Sequence, residues 1–218
     1  MKVIGTVGLP GSGKGEAAAV AHEAGVPVVT MGDVIRKACR ERGFDPAEHH
    51  GEMARTLREE DGPAAIAERS LPLIEAELET HETVLVDGLR SDVELDRFRE
   101  AFGEAFRLVS IEAPFEVRAE RLLDRARDDS DIDREALRDR EERELGFGMG
   151  EVMDRADVVV DNTDSLAAFR DRIRAILDGD LASVADDDHV TVAVGSDAGA
   201  AGAADVDSTP EANAGERQ

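Results

Sequence analysis

The chain has no tryptophan, no tyrosine and one cysteine, and only three of its 26 basic residues are lysines: Lys2, Lys14 and Lys37. Each scarcity excludes something. Cys39 alone cannot form an intramolecular disulfide or a cysteine-based zinc site, which leaves it the part of a small buried hydrophobe. With no Trp and no Tyr, a set of stacking aromatics to grip unpaired bases is not evident. Fifty acidic residues give a net charge of −24, which opposes a nucleic-acid partner. No apolar run approaches the ~20 residues needed to span a bilayer, and the N-terminal run lacks a signal-peptide cleavage pattern. A cytoplasmic protein with neither nucleic-acid nor membrane partners is expected. The excess of acid and the use of Arg in place of Lys are the composition of a halophilic protein. At molar salt the Debye length falls to about 3 Å, so long-range repulsion of an anionic ligand largely disappears while close contacts survive.

What is present is an alternation of short β-branched runs with helical patterns. Val3 to Val7, Val26 to Val29, Val84 to Val86, Leu108 to Ile111 and Val158 to Val160 read as buried parallel strands, because each is almost continuously apolar and bounded by turn signals. Helical patterns cover about 14–23, 33–41, 63–80, 92–102, 115–127, 134–145 and 166–177. The expected fold is α/β: a three-layer domain over residues 1–180 with a five-stranded parallel sheet and right-handed crossovers. The long gap between the second and third strands reads as a helical insertion, about 32–81, over the sheet edge where ligands bind. Residues 181–218 read as an acidic low-complexity tail expected to be disordered, with one alternation, Val190 to Val194, able to form an edge strand.

Directly after the first run comes Gly8-Leu9-Pro10-Gly11-Ser12-Gly13-Lys14-Gly15, a phosphate-binding loop between strand and helix. The glycines let backbone N–H groups converge on phosphate oxygens, the helix beginning near Lys14 adds its positive end, and the Lys14 ammonium reaches the terminal phosphates. Gly15 stands where a hydroxyl residue is usual, and Glu16 follows. A carboxylate at a helix N-terminus suits the dipole; a sharper alternative has Glu16 ordering the water shell of Mg²⁺. Thr30 and Asp33 have the spacing of a capping box. No histidine has a metal-ligand partner beyond the pair His49-His50, which is expected on an exposed loop.

Three more constellations accompany the loop: Thr30-Met31-Gly32-Asp33-Val34-Ile35-Arg36, Asp87-Gly88-Leu89-Arg90, and the series Arg118, Arg121, Arg125, Arg127 and Arg138. Over residues 1–178 this arrangement resembles adenylate kinases and other small P-loop kinases, including dephospho-coenzyme A kinase. With the continuation Glu144-Leu145-Gly146-Phe147-Gly148-Met149-Gly150-Glu151, it looks closer still to an archaeal family of ATP-binding proteins related to those kinases. The resemblance implies ATP and Mg²⁺, with Asp87 holding the metal through water and Arg36 and Arg90 gripping a small acceptor. That acceptor would be a nucleoside monophosphate or dephospho-coenzyme A. It also implies closure of a short lid, about 118–145, by Arg121, Arg125, Arg127 and Arg138. Arg118, Arg140 and Arg143 are expected to pair with surface carboxylates instead. Glu94 falls where an adenylate kinase offers glutamine to the acceptor adenine, which argues against AMP. Asp161-Asn162-Thr163 resembles the segment flanking the donor adenine. The expected activity is phosphoryl transfer, the alternative a nucleotide-binding regulatory module with little or no turnover.

Overall fold

A computed structural model describes residues 1–125, 134–146 and 148–193. The apolar runs form β1 (Lys2–Val7), β2 (Val28–Thr30), β3 (Thr83–Asp87), β4 (Phe106–Glu112) and β5 (Val158–Asp161). These five are parallel, in the order β2-β3-β1-β4-β5, and β6 (Val190–Val192) adds an antiparallel edge on β5. Successive side chains of a strand point to opposite faces, so a run apolar at every position needs cover on both. Val3, Val84, Val86 and Leu108 enter one core; Ile4, Leu85, Val109 and Ile111 enter the other.

The first core is closed by α2 (Met31–Glu41), α3 (Pro46–Asp61), α4 (Ala65–Leu78), α5 (Asp92–Phe102) and the short α8 (Met149–Asp154). The second is closed by α1 (Lys14–Glu23), α9 (Leu166–Asp178) and α10 (Leu181–Val184). Two further helices, α6 (Phe115–Arg125) and α7 (Arg134–Gly146), follow β4. The result is the three-layer α/β architecture of P-loop kinases.

Central β1 has β3 on one side and β4 on the other. Chain direction across the sheet reverses there, which opens a crevice at the strand C-termini. Register sets Thr6 opposite Asp87, and Asp87 opposite Thr30. Three strand ends and the glycine-rich loop therefore meet at one place.

Three expectations are corrected. His49-His50 lies inside α3: Asp45 accepts from the Ala47 N–H at 2.9 Å and Pro46 opens the first turn, so the helix starts before the histidines. The Thr30 side chain makes no capping bond, and Asp33 turns to Arg36, whose Nε donates to it at 2.8 Å. Residues 181–193, grouped above with the tail, carry α10 and β6, and Val184 and Val190 are buried in the second core. The rest of that tail, 194–218, lies outside the described residues, as does Arg127. Among the described residues no helix is long and apolar enough to cross a membrane.

Candidate functional site

The loop between β1 and α1 has a shape that only glycine permits at key points. Gly8 has φ 150° and a Cβ there would lie 2.7 Å from Ser12 Oγ; Gly11 has φ 82° and its Cβ would meet the Arg118 carbonyl oxygen at 2.7 Å. No Cβ contact within 4 Å would arise at Gly15, so packing does not demand the glycine there.

Neighbouring elements brace the loop from outside. Asn162 Nδ2 donates to the Ser12 carbonyl at 2.7 Å, and Arg121 donates to the Asn162 carbonyl at 2.8 Å. Arg118, expected at the surface, is 5% exposed. It donates to the carbonyls of Ala113 at 2.8 Å and Pro10 at 3.1 Å, and to Glu141 on α7 at 2.7 Å. Its guanidinium fork joins the loop, the end of β4 and α7, which is why it is buried.

Two features of the loop fit a phosphate. Ser12 Oγ is buried without a hydrogen-bond partner, an arrangement that costs free energy unless a ligand oxygen completes it. The Lys14 ammonium folds back on the Gly8 carbonyl, with the Leu9 carbonyl 3.5 Å away. Burial holds its pKa below the ordinary lysine value, partly offset by Asp87 and then Glu144, while Arg90 and Arg140 push the same way as burial. Such a desolvated cation gains most from an anion. The Asp87 carboxylate at the strand end beside the loop fits a metal held through water: Thr6 Oγ1 donates to Asp87 Oδ1 at 3.1 Å and sets its orientation. Glu16 does not share that place. Its carboxylate is bound by Arg170 of α9 at 2.6 Å.

The loop opens onto a cleft of about 220 Å³. Lys14, Arg36, Arg58, Arg90 and Arg140 line it together with Asp87, Glu94 and Glu144, five cations against three carboxylates, in a chain of net charge −24. Arg36 comes from α2, Arg58 from α3, Arg90 from the turn after β3 and Arg140 from α7. Arg140, expected to serve as a surface pairer, is 53% exposed and pairs with Glu144, and it also lies at the rim of the cleft. Glu94 is 1% exposed; it accepts from Arg58 at 2.9 Å and from the Arg90 backbone N–H at 3.0 Å. Glu144 pairs with Arg90 at 3.2 Å and with Arg140 at 3.7 Å. His50 also lines the cleft. Its pKa is lowered by burial and then by Arg36, with Arg90 adding to the effect and the Gly32 backbone opposing it.

Sequence reasoning had singled out Lys14, Asp87, Arg36 and Arg90, and all four line this cleft. Arg138 does not: its guanidinium sits 4.1 Å from the centre of the Phe115 ring and 3.7 Å from Glu116. Arg121 braces the loop from behind, and Arg125 is the last residue of α6. Arg58, His50 and Glu144 were not singled out as cleft residues from the sequence. Each sits in a charged helix whose pattern does not distinguish it, although α7 buries only Leu137 and Glu144, and a buried glutamate in so polar a helix marks a contact.

Residues 7–138 match the family model described as an AAA domain. Over 180 residues the chain is 59% identical to UPF0200 protein OE_4442F of Halobacterium salinarum, covering 83% of this chain and 94% of that protein. A UPF0200 protein of Methanosarcina mazei is 45% identical over 179 residues, 81% of this chain and 94% of the relative. Among solved structures, TT1252 from Thermus thermophilus aligns with TM-score 0.57 at 22% identity, covering 84% of this chain and 97% of the other. A shikimate kinase from Bacteroides thetaiotaomicron aligns with TM-score 0.51 at 17% identity, covering 81% and 98%. These two likenesses establish the fold alone.

Proposed function

The chain belongs to the UPF0200 family, with an AAA domain over residues 7–138, and from that premise we propose a Mg²⁺- and ATP-dependent phosphotransferase acting on a small phosphate-bearing acceptor. One observation carries the reading: Lys14 and Asp87 share a single cleft with arginines from four other segments. Lys14, Ser12 and the loop amides hold the donor phosphates. Mg²⁺ supplies charge neutralisation on those phosphates when bound, and Asp87, oriented by Thr6, holds it through water. Arg36 and Arg90 grip the acceptor, joined by Arg58. Arg140 approaches from the lid side, and Arg125, Arg127 and Arg138 are proposed as further lid-closing groups. Arg121 is a positioning residue, acting through Asn162 and the loop. Phosphoryl transfer asks little covalent chemistry of the protein, so this arrangement contributes by alignment and by meeting charge spread over the moving group.

ATP turnover in molar salt, with nucleoside monophosphates and dephospho-coenzyme A as acceptors, tests the proposal. ADP release should rise with one acceptor class and fall by about 100-fold in Lys14→Ala, the scale expected when a main charge stabiliser is removed. Tight ATP binding with no acceptor-stimulated turnover would overturn it in favour of a regulatory nucleotide-binding module.

A further inference from the structure

Beside the cleft lies a second cavity of about 470 Å³, bounded by α2, α3 and the start of α5. The two share Ile35, His50, Arg58 and Arg90 as common walls. The cleft, at about 220 Å³, is smaller than the ~300 Å³ at which small-molecule sites usually begin. That is little room for donor phosphates and a whole acceptor together. The neighbouring cavity more than doubles the room.

Its lining says what kind of body it takes. Ile35, Ala54, Pro63 and Val93 give it aliphatic walls, and the one ring that lines it is the His50 imidazole. Glu94, the carboxylate nearest in role to a base-reading group, already accepts from Arg58 and from the Arg90 N–H. Arg55, Arg58 and Arg90 line the cavity with Glu59 as its one carboxylate, so it favours anionic charge along the ligand.

We infer that this cavity is an extended acceptor subsite, and that the acceptor is an anionic molecule whose arm, partly aliphatic and longer than a nucleoside monophosphate, runs from the cleft between α3 and α5. The inference rests on the acceptor reading above. It assigns to α3 a role in substrate length as well as charge.

Gly51 gives a clean test. It lines the cavity from within α3, and a Cβ added there meets nothing within 4 Å. A larger residue therefore enters open space, and replacing a mid-helix glycine favours the helix. Gly51→Phe should fill the subsite while leaving the fold intact, and Gly51→Ala serves as the control. Binding of dephospho-coenzyme A to the full chain without ATP, measured by calorimetry in molar salt, should weaken at least about 10-fold in Gly51→Phe, the equivalent of 1.4 kcal/mol. It should stay near wild type in Gly51→Ala. ATP affinity and melting temperature should not fall in either variant. Equal binding by wild type and Gly51→Phe, or no binding by wild type, would overturn the inference. Because the readout needs no turnover, binding that Gly51→Phe weakens, without phosphoryl transfer, would contradict the kinase proposal and leave the subsite standing.

Discussion

At Lys14 burial lowers the pKa of the ammonium more than Asp87 and Glu144 raise it. Below the ordinary lysine value the folded protein therefore binds this proton less readily than the unfolded chain, so the charged group opposes folding. The penalty fades as pH rises towards that value. Lys14→Met should raise the melting temperature of the ligand-free protein and abolish the rise that ATP produces, both read by calorimetry. His50 has the same sign within its own window. Its depressed pKa means that the unfolded chain holds more protons between the folded value and the ordinary 6.5, so this contribution to stability is lost as pH falls below about 6.5. Difference curves between wild type and His50→Gln should reveal that slope and its absence. Glu16→Gln should cost at most about 1 kcal/mol in chemical denaturation, as a partly exposed pair with Arg170 implies. The Mg²⁺ dependence of ATP affinity should not change.

Among the elements, the strands were legible because burial on both faces writes an unbroken apolar run, and the loop was legible because its chemistry is local. Helix α3 was less so: its pattern combines three buried residues, Met53, Ala54 and Leu57, with a largely charged surface. The acceptor-side cluster was only half legible. Arg36 and Arg90 stand in short motifs, whereas the pairing of Arg58 with Glu94 and of Glu144 with Arg90 acquires meaning when separate elements pack. Arg118 illustrates the same limit, since nothing in an Arg-rich helix marks the arginine that the loop buries. Arg118→Ala removes the partner of Glu141 and two carbonyl contacts together. Breaking a buried pair costs about 3 kcal/mol, so a comparable loss is expected in urea denaturation, with weakened ATP binding because Pro10 loses its brace.

For the whole molecule, a positively biased cleft is set in a chain of net charge −24. At low salt the surrounding acid repels nucleotide and acceptor alike. Raising ionic strength from about 0.1 M to 1 M shortens the Debye length from about 10 Å to 3 Å, which removes that repulsion and spares contacts inside the cleft. ATP affinity should therefore increase over this range, the reverse of the usual behaviour of a charged ligand; a steady fall would show that the local cations dominate at every salt concentration. The central claim is that one cleft joins a donor site to an acceptor site. Its most direct test is mass-spectrometric detection of the phosphorylated acceptor, formed with ATP in molar salt by wild type and by the double variant Arg36→Ala, Arg90→Ala. Product from wild type, with at least about 100-fold less from the double variant at unchanged ATP affinity, is the predicted result; equal product from both, or none from wild type despite ATP binding, would contradict it.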